Sequence, residues 1–179
     1  MLHISVLGPV EVSRDGQPIA VPGGKTAELL ARLALEPGTF VGADRLLEDV
    51  WAEDAVTTRR NTLQSKVAKL RRAFGDAEVI ASADAGYALA VEASAVDAFA
   101  VLRDAAAAAE LLDAGHEGAA AELSASALAR YRGEPLQGAG DWAAQHRARL
   151  DEARTQLLET QFAARLGSPG QQPRRTPSD

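Results

Sequence analysis

Residues 57–74, TTRRNTLQSKVAKLRRAF, hold six of the chain's 19 basic residues and no acid, in a protein of formal net charge -6. At about 100° per residue, Leu63, Val67, Leu70 and Phe74 share one narrow face, so the spacing predicts an amphipathic helix with that stripe turned to a core. Thr57 or Thr58 is the expected N-cap and Gly75 the expected C′ stop. Opposite the stripe lie Asn61, Ser65, Ala68 and Arg72, flanked by Thr62, Gln64 and Lys69. The outward centre is short and polar, and cations run along its sides. A helix that enters a DNA groove needs that arrangement, with short donors and acceptors for base edges and Lys or Arg for the phosphates on either side. A merely solvated basic face would look the same in isolation, so the rest of the chain has to decide.

Charge is segregated onto this one stretch. Residues 1–95 carry 10 basic and 13 acidic groups, but outside residues 57–74 the count falls to 4 basic against 13 acidic. A local basic stripe binds phosphate while the remaining surface stays acidic, so net acidity does not exclude nucleic acid. The 179 residues allow one domain or two small ones. There is no cysteine, hence no disulfide framework and no thiolate metal site. No apolar run approaches ~18 residues, and the start MLHISVLGPVEV lacks a signal peptide's basic region and long apolar stretch. The expectation is a cytoplasmic protein with no membrane partner and no cofactor.

The segments around the basic stretch fall into an order. Residues 3–7, 10–14 and 18–21 read as three short strands, with Asp15-Gly16 as a hairpin turn. Gly23-Gly24-Lys25-Thr26 opens a helix through Leu35. Residues 42–51 make a second, with Leu46, Leu47, Val50 and Trp51 inward and Trp51 as a core anchor. The acidic connector at residues 52–56 leads to the basic helix. Residues 79–82 and 87–91 then form a β-hairpin. A strand followed by Gly-Gly-Lys-Thr also invites a P-loop reading. That motif needs Gly at the position held by Ile19, and a parallel sheet instead of a meander, so a strand-to-helix turn is the better reading.

Three strands, three helices and a hairpin are the layout of a winged helix with an extra N-terminal sheet. The LGPVEV start, Lys25 with LLARLAL, DRLLEDVW, TLQSKVAKLRRAFG and GYALAV together resemble the OmpR-type winged helix. More narrowly, they resemble the SARP-type activators of antibiotic gene clusters. The resemblance implies that the third helix lies in the major groove and the hairpin wing touches the adjacent minor groove or backbone. It points to Asn61, Thr62, Ser65 and Lys69 for base-edge or near-base contacts, and to Arg60, Lys66, Arg71 and Arg72 for phosphates. It also implies binding to direct repeats in double-stranded DNA and recruitment of RNA polymerase; Glu53 and Asp54 of the connector either meet a basic polymerase surface or form a solvated acidic turn. Two departures stand out. The wing tip Ser82-Ala83-Asp84-Ala85 carries an acid where family wings commonly carry a donor, so affinity is expected to rest on the helix. The connector also lacks the proline often found there.

The second half reads as all-α. Ser94-Ala95-Val96-Asp97 has the pattern of a capping box opening a helix to Leu112, which Gly115 breaks. A second helix is expected from Glu117 to Tyr131 and a third over residues 142–166. Ala106, Ala119, Ala120, Ala125 and Ala127 would let the first two pack closely, in tetratricopeptide-like stacking. GYALAV followed by Val96-Asp97-Ala98-Phe99, and Tyr131-Arg132-Gly133-Glu134-Pro135-Leu136, resemble the bacterial transcriptional activation domain of the same family, over about its first half. The expected division is a winged helix at 1–92, a partial activation domain at 93–166 and a disordered tail at 167–179. Leu150, Leu157, Phe162 and Leu166 on the third helix should fold back, stay exposed or form a homodimer, and dimerisation through residues 142–166 is the expectation.

Little supports catalysis. His3, His116 and His146 are isolated, with no metal-ligand spacing, and no nucleophile motif is present. The sequence therefore indicates a DNA-binding transcriptional activator of a biosynthetic gene cluster, acting near the nucleoid. The competing reading is an interaction or competitor module that binds DNA or a partner without activating.

Overall fold

The computed structural model describes residues 1–52, 56–83 and 86–167, without side-chain detail for residues 56–59. Residues 168–179, nearly all of the expected disordered tail, lie outside it. So do Glu53 and Asp54 of the connector and the wing-tip residues Asp84 and Ala85.

The chain begins with an antiparallel meander of β1 (Leu2–Ser5), β2 (Glu11–Arg14) and β3 (Gln17–Ile19). Asp15 and Gly16 both take positive φ, 51° and 81°, which sets the tight turn and the pairing of Arg14 with Gln17. Alternation then puts Ile4, Val12 and Ile19 in one cross-strand row on the core side. Helix α1 (Lys25–Ala34) buries Leu29, Leu30 and Leu33, and α2 (Ala43–Val50) buries Leu46, Leu47 and Val50. Trp51 follows as a core residue, 3% exposed.

Helix α3 (Val56–Phe74) starts one residue before the expected cap, so Thr57 and Thr58 lie inside its first turn. Its end agrees with the sequence reading. Gly75 sits at φ 64°, its N–H bonds the Arg72 carbonyl, and the Asp76 N–H bonds the Arg71 carbonyl. The wing is β5 (Ile80–Ala83) and β6 (Gly86–Leu89). A two-residue strand, β4 (Val41–Gly42), pairs with β6 and gives the order β4-β6-β5. Spacing alone could not reveal so short a strand. Gly86 is required where β4 and β6 meet, because a Cβ there would enter the Val41 carbonyl group, with the carbonyl carbon 2.8 Å away.

A 3-10 turn at Ala93–Ala95 leads into α4 (Asp97–Asp113), followed by α5 (Glu117–Leu128). After a second 3-10 turn at Asp141–Ala143, α6 (Ala144–Gly167) packs on both. The stacking is tetratricopeptide-like, and its phase agrees with expectation at Ala120 and Ala127 but not at Ala106, Ala119 and Ala125. Ala105, Ala108, Ala120, Ser124 and Ala127 are buried, whereas Ala106, Ala119 and Ala125 face solvent. A run of consecutive alanines carries no phase of its own, so the packed face is set by Val101, Leu150 and Leu157 around it. Leu150 and Leu157 fold back into the core, while Leu158, Phe162 and Leu166 are 51%, 66% and 72% exposed. Tyr131 anchors the bundle by donating to the Leu150 carbonyl at 2.6 Å. Burial, with Asp151 adding to it, pushes its hydroxyl pKa up to about 12.

No capping box forms at α4. The N-cap is Val96, without a side-chain bond, and the Asp97 carboxylate instead accepts from the Val6 and Leu7 amides at 2.8 and 3.3 Å. Those residues follow β1, so this acid joins the two halves of the molecule. Ile4 also bridges Val96 in parallel, and one hydrophobic core runs through both halves.

The seam continues along the segment after α5. Arg132 N–H bonds the Leu7 carbonyl and Leu136 N–H the Val6 carbonyl, each at 2.7 Å. Gly8, at φ 149°, lies so close that a Cβ would stand 3.1 Å from the Gly133 nitrogen. Leu136 is fully buried at φ 55°, a strained conformation for leucine that surrounding contacts must enforce. On the other side, Glu28 Oε1 accepts from the Gly140 N–H and the Trp142 indole, both at 2.9 Å.

Candidate nucleic-acid interface

The 19 residues of α3 give a rod about 28 Å long. Leu63, Val67, Leu70 and Phe74, none more than 3% exposed, fasten it against α1, α2 and the wing. Their spacing leaves the opposite side outward. Asn61, Gln64, Ser65, Ala68, Lys69 and Arg72 are exposed there, with Thr62 and Lys66 half-buried at its edges. Ala68 keeps the centre low, and the amide and hydroxyl groups of Asn61, Gln64 and Ser65 supply short donors and acceptors beside it. Lys66, Lys69 and Arg72 make no ion pair among the described residues.

Two of the expected phosphate contacts have partners of their own. Arg60 donates to Asp44 at 3.1 Å, but both side chains are more than three-quarters exposed. Such a pair is screened and weak, so a phosphate can take the guanidinium over. Arg71 is different. Its Nε and Nη2 donate to the Ile80 carbonyl at 3.0 and 2.6 Å, and Nη2 also reaches Ser82 Oγ at 2.6 Å. It ties the last turn of α3 to the first wing strand and so fixes the angle between helix and wing. That tie joins residues nine and eleven apart across a turn, which helical periodicity cannot show.

Lys25, the candidate P-loop lysine, pairs with Glu28 at 2.9 Å and follows a strand of an antiparallel meander. His146 is a half-buried helix residue stacked edge-on to Trp142 at 6.4 Å. No described helix is long and apolar enough to cross a membrane.

Comparison with known proteins gives this geometry a context. Residues 16–89 match the family described as "Transcriptional regulatory protein, C terminal", and residues 96–172 match the "Bacterial transcriptional activator domain". The two follow each other in the order expected of a SARP-type chain. This chain belongs to the SARP-type family. Both matched families are of transcription regulators, not enzymes. Among SARP-type relatives, the chain is 35% identical over 163 residues to the regulatory protein AfsR of Streptomyces coelicolor, covering 90% of this chain and 16% of AfsR. To the regulatory protein DnrI of Streptomyces peucetius it is 26% identical over 177 residues, covering 92% of this chain and 65% of DnrI. The structure of Mycobacterium tuberculosis EmbR in complex with a low-affinity phosphopeptide superposes with a TM-score of 0.69 at 27% identity, covering 92% of this chain and 43% of EmbR. The fold is therefore the family's winged helix followed by a tetratricopeptide-like helical segment, and this chain spans less than two thirds of each of these relatives.

Proposed function

We propose that this chain is a sequence-specific DNA-binding transcription activator that places α3 in the major groove. The observation carrying the reading is the split of α3 into a wholly buried apolar stripe and an open polar face edged by Lys66, Lys69 and Arg72, which make no ion pair among the described residues. Asn61, Thr62, Ser65 and Lys69 read base edges. Arg60, Lys66 and Arg72 hold phosphates, and Arg71 joins them only by releasing part of its hold on the wing. Exposed Ser82 and Ala83 bring the wing near the backbone without a cation, so the helix supplies most of the affinity.

The division at about residue 92 is functional more than mechanical. Residues 1–92 contact DNA, and the helical residues 93–166 serve activation through the seam that holds them. In this reading the protein acts in the cytoplasm at the nucleoid, on direct repeats ahead of a biosynthetic gene cluster. It recruits RNA polymerase, with Glu53 and Asp54 as the acidic contact. The exposed row Leu158, Phe162 and Leu166 supports a homodimer through α6. A light-scattering mass that stays monomeric over a wide concentration range would remove the dimer from the proposal.

Selection of genomic fragments with purified protein tests the central reading. Enrichment of a direct repeat, bound with a steep salt slope and well above random DNA, is the expected result. Weak binding at low salt only, without enrichment, would overturn it.

A further inference from the structure

A second cationic surface lies away from α3. Between β1 and the start of α4 is a cavity of about 470 Å³ whose lining includes His3, Ser5, Ser94, Arg103, Arg130 and Arg132. Its walls come from both halves of the chain. Three guanidiniums converge on one hollow in a protein of net charge -6.

The acids near them only partly answer this charge. Asp104 is shared, accepting from Arg103 at 2.9 Å and from Arg130 at 2.6 Å, so one carboxylate serves two cations. Arg132 pairs with Glu11 at 2.5 Å, but Glu11 is 63% exposed and such a partner is readily exchanged. Asp97, the acid on the lining, has both oxygens engaged by the Val6 and Leu7 amides. Each guanidinium has five N–H donors, more than these bonds consume. Two serine hydroxyls and an imidazole add further hydrogen-bonding groups. Among the described residues no Phe, Tyr or Trp lines the cavity, so they offer no platform for stacking a nucleobase.

We propose that this cavity binds a small, multiply charged oxyanion of the polyphosphate or phosphate-ester class, which bridges the winged helix and the helical half. Planar guanidinium forks match the oxygen pairs of such anions, and the volume lies within the range of small-molecule sites. The bound anion links His3 and Ser5 on the first strand to the arginines of the helical half, so it stabilises the seam. The site does not depend on DNA recognition, and either proposal can fail alone.

Calorimetric titration of the full chain with inorganic pyrophosphate at physiological salt tests the site. One-to-one saturable binding is expected, with a rise in melting temperature at saturation. Arg103→Gln, at a side chain 66% exposed and thus dispensable for folding, should weaken binding about tenfold or more. Arg132→Gln should weaken it as well, and thermal melts establish that each variant is folded. Arg72→Ala on α3 should leave the affinity unchanged, which separates this site from polyanion binding at the DNA face. The proposal is overturned if the wild-type chain shows no saturable binding, if Arg103→Gln binds normally, or if Arg72→Ala costs as much as Arg103→Gln.

Discussion

The outward face of α3 and the seam between β1 and the segment after α5 are built by opposite means. The α3 face is open, its side chains are short or flexible, and Lys66, Lys69 and Arg72 make no ion pair among the described residues. The seam is closed. Asp97 is committed to two backbone amides, Gly8 and Gly133 touch through their backbones, and Leu136 is held in a strained conformation without exposure. The α3 face keeps its bonding capacity for another molecule, while the Asp97 carboxylate and the backbone groups of the seam spend theirs on each other. A change in the first should therefore alter binding without altering folding, and a change in the second should do the reverse.

The sharpest test of that contrast is a residue that holds the outward face in place from the core side. Leu70 anchors α3 from beneath and is fully buried. Leu70→Ala should cost about 2–5 kcal/mol in chemical denaturation and lose DNA binding through unfolding alone. Asp97→Ala should cost about 1–3 kcal/mol, because the Val6 and Leu7 amides lose their acceptor. Its DNA affinity, measured on the folded fraction, should stay close to wild type. A normal denaturation midpoint for Asp97→Ala would show that the seam does not depend on this acid.

Acidification should expose a smaller effect at His146, beside Arg32 and Trp142. Burial, then the Arg32 charge, lowers the His146 pKa below its ordinary 6.5, while Glu36 and Asp49 oppose the shift and Arg149 adds to it. The folded chain thus resists protonation there more than the unfolded chain does. Stability is fully present above pH 6.5 and is lost as pH falls through 6.5 toward the lowered folded value. His146→Gln should flatten the pH dependence of the denaturation midpoint in that window, and an unchanged slope would assign it elsewhere. Smallest of all, Arg71→Ala should loosen the wing while leaving α3 folded. Faster hydrogen exchange confined to β5 and β6 would show it, and exchange spread through α3 would contradict it.

Much of this was legible in the chain, unevenly. The buried stripe and outward face of α3 followed from residues four and seven apart, because a helix converts spacing directly into direction. Gly75 marked the helix end for an equally local reason. The seam was not legible as physics. Residues 7–9 and 132–136 appeared only as two separate strings resembling a family, although they are two sides of one contact. Asp97 read as a cap because its sequence neighbours fit a capping box, yet backbone amides 90 and 91 residues away claimed it. The alanine-rich helices hid their own phase. Long-range pairing and uniform composition both leave no period to read.

The most direct test of the central claim compares Lys69→Ala, Asn61→Ala and Arg72→Ala on a selected site and on random DNA across a salt series. All three should keep wild-type stability within about 0.5 kcal/mol, since they sit on exposed positions. Lys69→Ala and Asn61→Ala should each lose about 1–3 kcal/mol on the specific site and little on random DNA. Arg72→Ala should weaken both DNAs alike and reduce the salt slope by about one phosphate's worth. Equal losses on both DNAs for all three variants would contradict the assignment of α3 as the base-reading surface.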